Sequence, residues 1–89
     1  MNIKRIGEGE IRMKSFYHFL MKYRHPKPSD SISQFANDAY LDHSFPKSST
    51  DYHEISSYLE LNGFYLESMR VFDEAWEKYE AELQKGFVR

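Results

Sequence analysis

The sequence predicts an all-α fold, a compact four-helix bundle around one core. Apolar residues recur at steps of three and four in four segments, proline, serine-rich or Asn-Gly punctuation separates the segments, and no alternating strand pattern occurs. A length of 89 residues suits one core and no more. Seven Phe, seven Tyr and one Trp, an aromatic share of 17%, supply the bulk that such a short chain needs. A chain of this size hides only about 60% of its unfolded surface.

In the first segment Phe16, Phe19, Leu20 and Tyr23 share one helix face, with Ser15 as N-cap. His25-Pro26-Lys27-Pro28 stops it, because proline lacks a donor and restricts the residue before it. The second segment opens at Ser29-Asp30-Ser31, where Ser31 and Gln34 match a capping box. It carries Ile32, Phe35, Ala36, Ala39 and Tyr40 on its core face and is expected to end near His43, which projects onto that face.

Residues 44–50, SFPKSST, read as a loop from which Phe45 plugs the core. Asp51 and Glu54 form a second capping-box pattern before Ile55, Tyr58 and Leu59, and Asn62-Gly63 predicts a left-handed stop. Tyr65, Met69, Phe72, Trp76, Tyr79 and Leu83 then make one apolar seam on the longest helix, ended by Gly86. Trp76, midway along it, is expected to be the largest buried residue.

Residues 1–12, MNIKRIGEGEIR, show no apolar periodicity and read as a disordered N-terminal extension. Gly7-Glu8-Gly9-Glu10 can be encoded by a purine run resembling a ribosome-binding site just before a start codon at Met13, which makes Met13 a candidate native start. The domain is accordingly expected over residues 13–86, with 87–89 a C-terminal tail. With no cysteine, a disulfide framework, a thiolate metal site and a thiol nucleophile are all excluded. The longest apolar run, around Phe19-Leu20-Met21, falls far short of the ~18 residues that span a bilayer. A cytoplasmic protein without membrane contact is expected.

The segments MKSFYHFLMKYRHPKP, DSISQFANDAYLDHSFPKSSTDYHEISSYLELN and FDEAWEKYE together resemble the YozE family of small bacterial proteins. The resemblance covers residues 13 to about 82 and implies a four-helix fold similar to sterile alpha motif (SAM) domains. It supplies no catalytic residues. The twelve-residue extension departs from the family pattern, whose members typically start at the position of Met13.

His18, His25, His43 and His53 are the first candidates for metal or acid-base work, yet no two stand at the i, i+4 spacing and no H-E-x-x-H pattern exists. Ser49, Thr50, His43, His53 and Asp51 cluster in sequence, but a serine/threonine run before a helix is explained as cap and turn. An aromatic-filled domain also has little room for a pocket of the usual ~300 Å³ or more. No catalytic, metal or cofactor residue is assigned, and the protein is expected not to be an enzyme.

Charge is more informative. Residues 13–29 hold Lys14, Lys22, Arg24 and Lys27 and no acid, whereas residues 30–89 hold twelve acids and five bases. Lys14, His18, Lys22 and His25 project together opposite the apolar face of the first helix, and Asp73, Glu77 and Glu80 form an acidic stripe on the fourth. Such stripes serve as solvated faces, as an intramolecular attraction or as a partner surface. Leu41 and Leu61 stand off their helices' core faces. The candidate interaction surface is therefore Lys14, Tyr17, His18, Lys22, Arg24, His25, Leu41, Phe45, Lys47 and Leu61.

These features predict a binding or adaptor module for an unknown protein partner, itself monomeric or weakly self-associating. The alternative is a nucleic-acid-binding domain using the basic first helix, against which the net charge of -2 argues.

Overall fold

The computed structural model describes residues 14–88, with side chains described as far as Lys85. The expected extension over residues 1–12 and the start at Met13 lie outside the described residues, as does Arg89. Four helices make up the regular structure: α1 (Phe16–Met21), α2 (Ser31–Leu41), α3 (Tyr52–Asn62) and α4 (Met69–Val88). No strand occurs among the described residues. The fourth helix packs against all three others, and α1 also packs on α2.

Each of the first three helices begins where a short polar side chain accepts a hydrogen bond from an otherwise orphaned backbone N–H. Ser15 caps α1 by accepting from His18, Asp30 caps α2 by accepting from Ser33, and Asp51 caps α3 by accepting from His53. The Ser31–Gln34 box does not form, because Asp30 reaches the backbone first and the Gln34 amide turns to Asp38 at 3.3 Å. At α3 the box is relayed: the Asp51 N–H donates to Ser49 Oγ at 3.0 Å, and that hydroxyl donates to Glu54 at 2.7 Å. The Ser49 carbonyl also accepts from the Phe16 N–H, tying the starts of α1 and α3 together.

Several boundaries differ from the sequence reading. The first helix stops at Met21, ahead of the prolines, and Tyr23 continues in a turn, only partly buried. Tyr65 precedes α4 instead of beginning its seam, since the Ser68 hydroxyl accepts from the Arg70 N–H and starts the helix there. At the other end α4 runs through Gly86 to Val88, so residues 87 and 88 are helical rather than tail. One glycine inside a helix costs about 1 kcal/mol, a tax rather than a stop.

Gly63 does end α3, for a different reason. Its φ is -92°, ordinary for any residue, but a Cβ there would lie 2.8 Å from the Leu59 carbonyl oxygen and 2.9 Å from Leu59 Cδ2. The position favours a glycine because its backbone closes tightly on the Leu59 carbonyl, to which the Gly63 N–H donates at 2.8 Å.

The core centres on Phe16, whose ring lies 5.2 Å from Trp76, 5.5 Å from both Phe72 and Tyr79, 6.2 Å from Phe35 and 6.3 Å from Phe19. Phe72 and Tyr79 meet it edge-on, the arrangement that sets a ring's positive edge against its neighbour's negative face. Tyr79 is the largest fully buried side chain, and its hydroxyl donates to the Lys14 carbonyl at 2.7 Å. Trp76 is buried but lies nearer the rim, where its edge meets Tyr52. Phe45 enters the core as expected and is therefore lost to the candidate surface. Tyr40 and His43, projected inward on α2, are exposed, because the core-facing arc of that helix is filled by Ile32, Phe35, Ala36 and Ala39.

Candidate interaction surface

The basic stripe is exposed, but its two lysines are paired. The Glu82 carboxylate on α4 accepts from Lys14 Nζ at 3.0 Å and also from Lys22 Nζ. Those hydrogen bonds, from Lys22 and then Lys14, hold the Glu82 carboxyl below its ordinary value. Lys22 Nζ also sits 4.7 Å from the Phe19 ring centroid, where the negative ring face attracts a cation. The two lysines flanking α1 are thus turned toward α4 through Glu82, not through the Asp73/Glu77/Glu80 stripe. Asp73 accepts instead from the Tyr52 hydroxyl at 2.8 Å.

The other sequence-predicted residues divide between two neighbourhoods. Asn37 fastens the loop after α1 to α2, accepting from the His25 N–H at 3.1 Å and donating to the His25 carbonyl at 2.8 Å. This brings the Arg24 guanidinium over the Tyr40 ring, 3.6 Å from its centroid. An open hollow of about 440 Å³ follows, lined by Arg24, His25, Pro26, Asn37, Tyr40 and Leu41. Around the connector, Tyr17 packs on Phe45 at 5.5 Å, and Lys47 donates to the His43 carbonyl with its ammonium 5.5 Å from the Tyr17 ring. His18 is exposed on α1.

A second, larger feature gathers residues that the sequence reading had not linked. Asp42 terminates α2, and its carboxylate accepts from the Tyr58 hydroxyl at 2.7 Å, the Tyr65 hydroxyl at 2.7 Å and the Ser44 N–H at 3.1 Å. Burial opposes its ionisation, but the two hydroxyls, the Ser44 N–H and the charge of Lys47 outweigh that and hold it below the ordinary carboxylate value. The reverse effect falls on the phenols. Burial, then the bond to Asp42, pushes Tyr58 up to about 12, and the same causes push Tyr65 up as well.

Over this cluster lies an open groove of about 640 Å³, lined by Asp38, Leu41, Asp42, His43, Ser44, Tyr58, Asn62, Phe64 and Tyr65. Leu41 is 69% exposed and Phe64 93% exposed. Leu41 also borders the smaller hollow, so it forms the ridge between the two. The space is an open surface groove between helix ends, not a cavity in the aromatic core. Phe64 was missed. The available signal was a large apolar residue directly after the Asn62-Gly63 stop, outside any helical stripe. Leu61 is exposed at 84% but does not line the groove.

Among the described residues no group of three or more His, Asp or Glu is placed to hold a metal ion, and no helix is long and apolar enough to cross a membrane. Of the residues that cluster in sequence near the connector, Ser49 and Asp51 form the cap of α3, as read from the sequence. The face combines exposed apolar side chains, hydrogen-bonded tyrosines and carboxylates.

Four helices packed around one aromatic core, with no strand among the described residues, make a domain of the SAM-like class. The chain belongs to the YozE family, matching the profile described as YozE SAM-like fold over residues 15–81. It is similar to the UPF0346 protein YozE of Bacillus subtilis, 76% identical over 71 residues that cover 80% of this chain and 96% of that protein. A UPF0346 protein of Geobacillus kaustophilus is 64% identical over 66 residues, covering 74% of this chain and 92% of its own. Another, of Lactiplantibacillus plantarum, is 59% identical over 66 residues, covering 74% and 90% respectively.

Proposed function

We propose that the protein is a non-enzymatic interaction module of the cytoplasm that binds a protein partner through the face carrying Leu41 and Phe64. The observation that carries this reading is the exposure of both side chains on one groove whose floor is already fixed by hydrogen bonds. Large apolar side chains held in water beside a fixed surface are typical of interface cores, and a floor fixed in advance lowers the entropy lost on binding.

Use of the basic helix for nucleic acid is disfavoured, because Glu82 neutralises part of the charge that phosphates would need. Affinity capture from the protein's own cells tests the reading. Nuclease-resistant protein should be retained by the native chain and lost by the Leu41→Asp/Phe64→Asp variant. Retention of nucleic acid alone, or of the same proteins by both chains, would overturn it.

A further inference from the structure

We propose that the groove between Leu41 and Phe64 receives a segment of a partner protein in which apolar anchors stand beside a lysine or arginine. This rests on the interaction-module reading above and specifies the chemistry of the occupant. Two observations support it.

The first is charge. The groove lining contains Asp38 and Asp42 and neither lysine nor arginine. Among the described residues, Asp42 is occupied by two hydroxyls and an N–H, whereas Asp38 holds the Gln34 amide alone, at 3.3 Å to each oxygen. Asp38 is therefore the carboxylate left to meet a cation at the groove wall. The same acids repel phosphate, which sets nucleic acid and anionic lipid headgroups aside.

The second is shape. Leu41 and Phe64 come from different elements, the last turn of α2 and the connection before α4, so an inserted side chain would be covered from two sides. The Phe64 ring rests edge-on against Tyr65, 5.7 Å away, and Tyr65 is held by Asp42. A rim supported in this way loses less freedom on contact than a loose one.

Panning a random displayed peptide library on the immobilised full chain tests the proposal, followed by titration of the enriched peptides by fluorescence anisotropy. Enriched peptides should combine Leu, Phe or Trp with Lys or Arg and bind less tightly as salt rises. Asp38→Lys should weaken them roughly tenfold or more, and Leu41→Asp/Phe64→Asp should abolish them. All three positions are partly or fully exposed, and unchanged thermal melting verifies the fold of each variant. Should the double variant fail to fold, the Asp38→Lys and Asp38→Asn titrations decide alone.

Acidic or neutral peptides that still require Leu41 and Phe64 would overturn the charge assignment and leave the interaction reading intact. Absence of any groove-dependent peptide would overturn both. A dimer in sedimentation equilibrium that Asp38→Lys dissociates would make the occupant a second copy and overturn the proposal.

Discussion

The Tyr58 hydroxyl hydrogen-bonds both carboxylate oxygens of Asp42, at 2.8 and 2.7 Å, and so locks the end of α2 to the middle of α3. Tyr65 adds the connection before α4 through the same carboxylate. Asp42→Ala should therefore cost about 2 kcal/mol, since it strands two phenols and frees a helix end, while Tyr58→Phe should cost about 1 kcal/mol. Urea unfolding of the single and double variants checks this. The double variant should cost less than the sum of the two, because each single substitution already breaks the shared bond.

Acid should loosen the molecule through the same groups. Asp42 and Glu82 are held below their ordinary values, so each contributes stability that is present above the unfolded value and lost as pH falls through the folded one. Thermal melts should drop as the pH passes below those ordinary values of 3.8 for Asp42 and 4.5 for Glu82. Asp42→Asn should flatten that drop. Glu82→Gln should flatten it less, because its ion pairs are solvent-screened and worth about 0 to 1 kcal/mol.

Alkali acts in the opposite sense on Tyr58. Its folded value of about 12 exceeds the ordinary 10.0, so the stability it contributes is complete below 10 and lost as pH climbs toward 12. Phenolate absorbance should show Tyr58 and Tyr65 resisting ionisation at a pH where exposed tyrosines have already titrated.

Gly63 separates two physical explanations. If the position required positive φ, asparagine would be nearly as good as glycine. With φ at -92° and a Cβ directed into the Leu59 carbonyl, alanine and asparagine should both destabilise, by about 1 to 3 kcal/mol. Parallel denaturation of Gly63→Ala and Gly63→Asn decides between them.

Phe16 should be the most sensitive core position, because it joins rings from α1, α2 and α4. Phe16→Ala is expected to cost about 3 to 5 kcal/mol, near the whole stability of a marginal domain. Loss of the cooperative helical melting transition is the readout.

What was legible in the sequence follows from distance along the chain. Ser15, Asp30 and Asp51 bond to backbone groups only two or three residues on, so local pattern reveals them. Phe16, Phe19, Leu20, Phe35, Ile55, Leu59 and Phe72 declare themselves by helical period, and all are buried. The Asp42 cluster joins residues 16 and 23 positions apart, and Glu82 reaches back 60 and 68 positions, so only the assembled bundle discloses them. Phe45 illustrates the ambiguity of a loop aromatic, which fits equally as plug or as surface until its neighbours are placed. Phe64 is its mirror image, a loop aromatic left outside.

Site-specific photocrosslinking in the protein's own cells tests the interaction face most directly. A benzoyl-phenylalanine at position 64 is compared with one at Lys78, an exposed site on α4 away from the groove. Discrete protein adducts that form from position 64, are absent from position 78 and disappear on adding Leu41→Asp are the predicted result. Equal adducts from both positions, or none from position 64 in a folded chain, would contradict the assignment of this face.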